Sequence, residues 1–150
     1  DEDLSRGLGD VYKRQRLTTF VHEKDIEGNV HFISARNDIN NFYSIADIVV
    51  SPSTDPEAFG RISVEAQAMG KFVIASNHGG STETIINNET GYLFNNADEN
   101  DLSAKILKAI NEDKHCSETV RQACITNVQR NYSDKKMCDS TLNFYNEIIG

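Results

Sequence analysis

The sequence predicts an α/β fold in which helices cover both faces of a parallel sheet, the doubly wound arrangement. Short apolar runs alternate with stretches of helical periodicity along most of the chain. Two of these runs, at 47–51 and 72–76, read as strands buried on both faces. The segments between the strands suit helices of about ten residues, which is typical of βαβ units with right-handed crossovers.

The individual elements follow from local signals. Gly28 and Pro52 bound predicted strands, and Gly70 stands where helices commonly end. Ser81 suits the N-cap of a short helix. The predicted elements are a strand at 29–33, a helix at 40–46, a strand at 47–51, a helix at 61–69, a strand at 72–76, a helix at 81–87, a strand at 91–94, and C-terminal helices at 100–112, 115–131 and 134–149.

The composition limits the classes of protein to which the chain can belong. Its 150 residues suit one domain, and 38% hydrophobic with 25% charged residues is ordinary for a soluble protein. The net charge of -8 argues against nucleic acid as a partner, because phosphate binding needs clustered Lys and Arg. No apolar run approaches the ~20 residues of a membrane span, and we expect no signal peptide. Membrane-integral, collagen-like and disulfide-scaffold proteins are thereby excluded.

The spacing of cysteines and histidines predicts no metal site. Cys116, Cys124 and Cys138 form no C-x-x-C pair, and the four histidines form no H-x-x-x-H pair. An odd number of cysteines in an acidic chain favours free thiols in a reducing compartment. We therefore expect a cytoplasmic protein with neither a metal ion nor another cofactor.

Residues 1–15 differ from the rest of the chain. They read DEDLSRGLGDVYKRQ, show no sustained helical or strand period, and join patterned sequence abruptly at Arg16. Their last six residues resemble the in-frame translation of a transposon end used to tag DNA fragments. We therefore expect an unstructured library artefact, with the natural protein cut near Arg16 and its own domain spanning 16–150. The alternative is a genuine acidic tail, and in neither case do we place a function there.

Three polar loops are expected at one edge of the sheet, beyond the carboxyl ends of the strands, where open parallel sheets bind ligands. These loops span residues 34–38, 51–60 and 76–80. Each leads into a helix N-terminus, which offers unpaired amides and the positive end of the helix dipole. The sequence therefore predicts a site for an anion such as phosphate.

The middle loop and its helix carry two carboxylates eight positions apart. Glu57 precedes the helix, and Glu65 lies about one turn inside it among apolar neighbours. A carboxylate in such surroundings is costly to desolvate without partners, and a pair of sugar hydroxyls could donate two charge-assisted hydrogen bonds to it. Gly60 has no Cβ and lets a ligand approach the backbone. The alternatives are a solvated loop acid for Glu57 and an ion pair with Arg61 for Glu65.

The motif around these acids resembles the nucleotide-binding half of the retaining glycosyltransferases of family 4, which have the GT-B fold. It reads PEAFG at 56–60 and VEAQAMG at 64–70. The resemblance covers 16–150 and implies a Rossmann-like half of a GT-B fold closed by C-terminal helices. Further blocks that are similar to the family's, in the same order, lie at 30–33, 42–53, 72–75, Gly79-Gly80 with Glu83, and 88–94.

The resemblance implies roles for the residues of the motif. Glu57 contacts the donor sugar near its hydroxyls and the leaving phosphate, and is the implied catalytic residue. Glu65 takes the ribose hydroxyls. The backbone amides implied to hold first the sugar and then the diphosphate are those of Ala58, Phe59 and Gly60, and of Ile62 and Ser63.

Other implied contacts lie outside the motif or are less specific. Arg61 could steer phosphate or simply pair with a nearby acid, and His78 could reach the donor or lie on polar surface. Two departures from the family stand out: Ala58 replaces a frequent proline, and glycine is frequent where Ser34 or Ala35 stands. The residues implied to line the base are Ile33, Ser34, Ala35 and Arg36.

The implied reaction is hexosyl transfer from a UDP- or GDP-linked sugar to a glycan or lipid-linked acceptor, with retention of the anomeric configuration and without a metal. Polysaccharide and lipopolysaccharide biosynthesis are the usual settings. We expect the diphosphate-binding Arg and Lys and the acceptor-binding N-terminal domain to lie upstream of Arg16, so the fragment alone is expected to be inactive. The full-length enzyme is expected to associate peripherally with the inner face of the membrane. Two alternatives stay open: a 2-epimerase-like GT-B enzyme and a non-catalytic flavodoxin-like module.

Overall fold

Parallel strands alternate with helices along most of the chain, as predicted. The computed structural model describes the backbone of residues 2–149 and the side chains of residues 11–149. It divides after Asn37 into two units. The first holds α1 (Glu2–Glu23) and a 3-10 helix (Glu27–Asn29). The second holds α2 (Ile39–Ile45), β1 (Ile48–Ser51), α3 (Arg61–Ala68), β2 (Phe72–Ser76), α4 (Ser81–Thr84), β3 (Gly91–Phe94), α5 (Glu99–Asn111), α6 (Glu118–Asn131) and α7 (Asp134–Ile149).

The sheet of the second unit is parallel, with its three strands in the order β1-β2-β3. Val49 pairs with Val73, and Val73 pairs with Gly91. Helices connect successive strands, as a parallel sheet requires. The predicted α/β class is confirmed.

The side chains of β2 alternate between two cores, one on each face of the sheet. Phe72 and Ile74 pack on the face covered by α5 and α6, whereas Val73 and Ala75 pack on the face covered by α2 and α3. All five residues of β2 are buried, as the continuous apolar run predicted. The sheet is therefore covered by helices on both sides.

Local cap chemistry agrees with several predicted boundaries. Gly70 adopts φ +71° after α3, and its amide donates to the Gln67 carbonyl at 2.9 Å. This is the left-handed residue that commonly ends helices. At the start of α5 the Asp98 carboxylate accepts from the Asn100 and Asp101 amides. No helix in the described part of the chain is long and apolar enough to cross a membrane.

The N-terminal segment corrects one expectation. Residues predicted to be unstructured lie in α1, which runs from Glu2 to Glu23. No proline interrupts this stretch, and most of its residues tolerate a helix well. The absence of a clear amphipathic period was therefore a poor guide to backbone conformation. The suspected artefactual origin of residues 1–15 stays a prediction.

Other features of the elements also differ from prediction. The segment 29–33 is not a strand, because an extended chain needs a ladder partner and this segment forms no ladder within residues 2–149. β1 is less buried than predicted, with Val50 exposed, because it is the edge strand of the described sheet. The helix α4 ends at Thr84, and its N-cap is Gly80 instead of Ser81.

Two buried tyrosines each donate a hydrogen bond to a carboxylate. Tyr43, on the α2 side of the sheet and 7% exposed, donates to Glu65 at 3.1 Å. Tyr92, on the other side and 1% exposed, donates to Glu112 at 2.6 Å. Burial, and secondarily the hydrogen bond to the carboxylate, raises the pKa of each phenol to about 12.

A close approach between β2 and β3 predicts the effect of Gly91→Ala. A Cβ at Gly91 would lie 2.3 Å from the Val73 carbonyl oxygen. We expect overpacking of this kind to lower the free energy of unfolding by about 1–3 kcal/mol, measured by urea denaturation. The matched control is Gly28→Ala, where the new Cβ meets nothing within 4 Å. Equal stability of the two variants would contradict the strand packing.

The buried tyrosines predict loss of stability at alkaline pH. A folded-state pKa of about 12 lies above the ordinary value near 10, so the protonated phenols stabilise the fold below pH 10, and this contribution is lost between pH 10 and 12. We expect at least two of the five tyrosines to ionise late in an ultraviolet absorbance titration of the folded chain. Tyr43→Phe and Tyr92→Phe should each remove one late step. Ordinary titration of all five tyrosines would show that neither phenol is buried.

Candidate functional site

Two of the predicted loops touch through their backbones at the carboxyl edge of the sheet. The Gly80 amide donates to the Glu57 carbonyl at 2.7 Å. A Cβ at Gly79 would lie 2.6 Å from the Glu57 carbonyl oxygen, and one at Gly80 would lie 2.4 Å from the Phe59 carbonyl carbon. Only glycine permits this approach, so the loop after β2 closely supports the loop after β1.

His78 joins the same two loops. Its Nε2 lies 2.8 Å from the carbonyl oxygen of Ser53, and the imidazole is half-buried. A neutral imidazole with its proton on Nε2 makes this contact a hydrogen bond. His78 does not line the pocket described next. The structure therefore gives His78 a part in holding the loops together, and its suggested contact with a donor stays untested.

A pocket of about 520 Å³ opens where the first of these loops enters α3. It brings Glu57 and Glu65 to one site, together with the backbone predicted to hold the sugar. The lining residues are Glu57, Ala58, Phe59, Gly60, Arg61, Ile62 and Glu65.

The backbone of this pocket presents a run of five amides, at residues 58–62, that donate to no acceptor within residues 2–149. Gly60 adopts φ +73° and is the N-cap of α3. Its carbonyl accepts from the amides of Ser63 at 3.0 Å and Val64 at 3.3 Å. The first turn of α3 is thereby closed, and the amides before it are left for another partner.

The Ser63 amide already has a hydrogen-bond acceptor within the protein. It was expected to meet a diphosphate, yet it is already bonded to the Gly60 carbonyl, and the residue is fully buried. The helix begins at Arg61, as predicted, and the unpaired amides of its first turn are those of Arg61 and Ile62.

The carboxylate of Glu65 has two protein partners, one on each oxygen. Tyr43 donates to Oε2 at 3.1 Å, and Arg61 donates to Oε1 at 3.0 Å. The ion pair suggested by the i,i+4 spacing of Arg61 and Glu65 is therefore present, with the Arg61 side chain 83% exposed. An exposed pair of this kind is worth only about 0–1 kcal/mol.

Tyr43 is the site residue that sequence reasoning missed. It lies 22 positions before Glu65, on a different helix. Its only signal was a hydroxyl-bearing aromatic on the helix before β1, which reads equally well as a core residue.

The carboxylate of Glu57 differs from that of Glu65. It is half-buried beside the pocket, and no hydrogen bond or ion pair joins it to another side chain within residues 11–149. The oxygens of the Glu57 carboxylate can thus accept hydrogen bonds from a ligand. Glu57 and Glu65 therefore present one open and one pre-oriented carboxylate.

The four residues predicted to line a base lie in the first unit. Ile33 is exposed, and the Ser34 hydroxyl accepts from the Arg14 guanidinium at 3.2 Å. Their contact with a base stays a prediction. Among the side chains that the structure describes, no group of three or more His, Cys, Asp or Glu residues could hold a metal ion.

Comparison with known proteins gives the family. The model of the family described as "Glycosyl transferases group 1" matches residues 8–126. The chain is 32% identical over 121 residues to the capsular polysaccharide biosynthesis glycosyltransferase CapM of Staphylococcus aureus. This alignment covers 81% of the chain and 31% of that relative, so the chain spans about a third of its length.

Solved structures share the fold. A glycosyltransferase from Rickettsia africae ESF-5 superposes with a TM-score of 0.81 at 34% identity, over 91% of this chain and 36% of that one. The Anabaena protein HepE in complex with UDP-glucose superposes with a TM-score of 0.71 at 29% identity, over 77% and 32%. With an α/β sheet of the GT-B type and a family match over most of its length, the chain belongs to the group 1 glycosyl transferases.

Proposed function

We propose that this chain supplies the donor site of a retaining glycosyltransferase of family 4, which moves a hexosyl group from a UDP- or GDP-linked sugar to a glycan or lipid-linked acceptor. The observation that carries the proposal is the pocket at the start of α3, where Glu57 and Glu65 flank five amides without an acceptor in residues 2–149. The UDP-glucose complex of the Anabaena relative supports a nucleotide sugar as the ligand.

The amides suit the charge that develops during such a transfer. The bond between the anomeric carbon and the diphosphate oxygen breaks, and its electron pair leaves with the nucleoside diphosphate. The acceptor oxygen bonds to the same carbon, and its proton passes to the departing diphosphate oxygen. Preorganised amide donors aimed at the leaving group stabilise its growing negative charge without reorienting, and the dipole of α3 adds to this.

Each residue of the pocket takes one part of the donor in this proposal. The amides of Arg61 and Ile62 meet the diphosphate, and those of residues 58–60 meet the sugar. Glu57, which has no side-chain partner within residues 11–149, accepts sugar hydroxyls and faces the oxocarbenium-like carbon of the transition state. Glu65 takes the ribose hydroxyls. The base is assigned to residues 33–36 by the family resemblance alone.

The whole enzyme is proposed to be cytoplasmic and to associate peripherally with the inner face of the membrane. Its acceptor would be bound by an N-terminal domain, as in the resembling family. The name of the Staphylococcus aureus relative supports polysaccharide synthesis as the setting.

Nucleotide binding tests the pocket. We expect the chain to bind UDP or GDP in calorimetry, and Glu65→Ala to weaken that affinity about tenfold or more, since hydrogen bonds to a charged group are lost. Glu118→Ala is the matched control, because this glutamate pairs with an arginine on α6, is 74% exposed and lies outside the pocket. Thermal unfolding of each variant separates lost binding from lost folding. Binding of neither nucleotide, or equal binding by Glu65→Ala, would count against the proposal.

The chain alone is expected to bind the donor without transferring its sugar. The acceptor site and the cationic groups that assist the leaving diphosphate are proposed to lie in the rest of the enzyme. Incubation with a radiolabelled nucleotide sugar and a lipid or glycan acceptor should give no labelled product. Turnover by the purified chain would refute the assignment of the acceptor site to another domain.

A further inference from the structure

We infer that Tyr43 is a positioning residue for ribose recognition: its hydroxyl fixes the Glu65 carboxylate so that the remaining lone pairs of that carboxylate accept the two ribose hydroxyls of the donor. This inference rests on the proposed function, because it names what orients the carboxylate assigned there to ribose. It adds a residue from α2 that does not line the pocket.

The hydrogen bonds of Glu65 leave room for a ligand. Tyr43 occupies one acceptor site on Oε2, and Arg61 occupies one on Oε1. An ionised carboxylate has about four lone-pair sites, so about one site on each oxygen stays open. Two adjacent hydroxyls can then bond to the two oxygens at once.

The two protein partners differ in how firmly they are held. Tyr43 is 7% exposed and packs in the core with Ala66, Val73 and Ile85. Arg61 is 83% exposed in its side chain, so its bond is screened by solvent and readily exchanged. Tyr43 is therefore the fixed partner, and Arg61 is the exchangeable one.

The ionisation of Tyr43 favours a permanent donor. Burial, with the neighbouring carboxylate, raises the pKa of this phenol to about 12, so the hydroxyl keeps its proton throughout the neutral range. The terminal torsion of a glutamate is soft, so the carboxylate would otherwise rotate freely. Without the phenol, it could turn both oxygens towards Arg61, which would compete with the ribose hydroxyls.

The test compares ribonucleotides with their 2′,3′-dideoxy counterparts. We expect Tyr43→Phe to weaken binding of UDP or GDP about threefold to tenfold. The reason is that the substitution removes the charge-assisted hydrogen bond that orients the Glu65 carboxylate. The dideoxy nucleotide lacks both hydroxyls, so Tyr43→Phe and the unsubstituted chain should bind it with equal affinity. In the Glu65→Ala background the same substitution should have no additional effect, because Tyr43 acts through Glu65.

Tyr92→Phe is the matched control for this experiment. It removes the hydroxyl of another buried tyrosine, which donates to Glu112 outside the pocket. We expect a comparable change in thermal stability and no change in nucleotide affinity. The control therefore measures what a merely structural loss would do.

Several outcomes would overturn the inference. Unchanged ribonucleotide affinity in Tyr43→Phe would do so, as would an equal loss for ribo- and dideoxynucleotides or an additive effect with Glu65→Ala. If the unsubstituted chain binds neither UDP nor GDP, the proposed function fails and the inference fails with it. If it binds and only Tyr43→Phe behaves unexpectedly, the inference fails alone.

Discussion

The site depends on a backbone contact that excludes any side chain larger than hydrogen. Gly79 and Gly80 lie against the backbone of Glu57 and Phe59, so close that a Cβ on either would overlap it. The hydrogen bond from the Gly80 amide to the Glu57 carbonyl fixes the same approach. One carboxyl-edge loop thus contacts and supports the next, and the amides that follow Glu57 have no acceptor within residues 2–149.

The start of α3 brings Glu65 to the same pocket as this loop. Gly60, in the left-handed conformation, turns the chain into the helix and uses its carbonyl for the first intrahelical bonds. Side chains of a helix lean towards its N-terminus, so Glu65, one turn inside, returns towards the loop that carries Glu57. This is why two acids eight positions apart line a single pocket.

Features set by neighbouring residues were predictable from the sequence, whereas features set by distant ones were not. The end of α3 shortly before Gly70, the buried run of β2 and the shared pocket of Glu57 and Glu65 all depend on spacing within about fifteen residues. A strand at 29–33 needs a partner strand, and a pattern of apolar residues cannot supply one. The bond between Tyr43 and Glu65 likewise forms only when α2 and α3 pack on the same face of the sheet. The acceptor of the Ser63 amide depends on the cap geometry at Gly60, which residue spacing does not specify, although α3 begins at Arg61 as predicted.

Under the proposed function, the local charge of the pocket explains why amides would have to hold the phosphate groups. At physiological salt the screening length is about 8 Å, so most of the net charge of -8 is felt weakly at the pocket, and the local groups decide. There, Glu57 and Glu65 with Arg61 leave one net negative charge, which disfavours an anion. Among the residues that line the pocket, attraction for the proposed diphosphate comes from the neutral amides and the dipole of α3, and using them buries no additional charge. Under the proposed reaction this balance suits the transition state. As the glycosidic bond breaks, negative charge moves onto the diphosphate at the amides, and positive charge grows on the sugar beside Glu57.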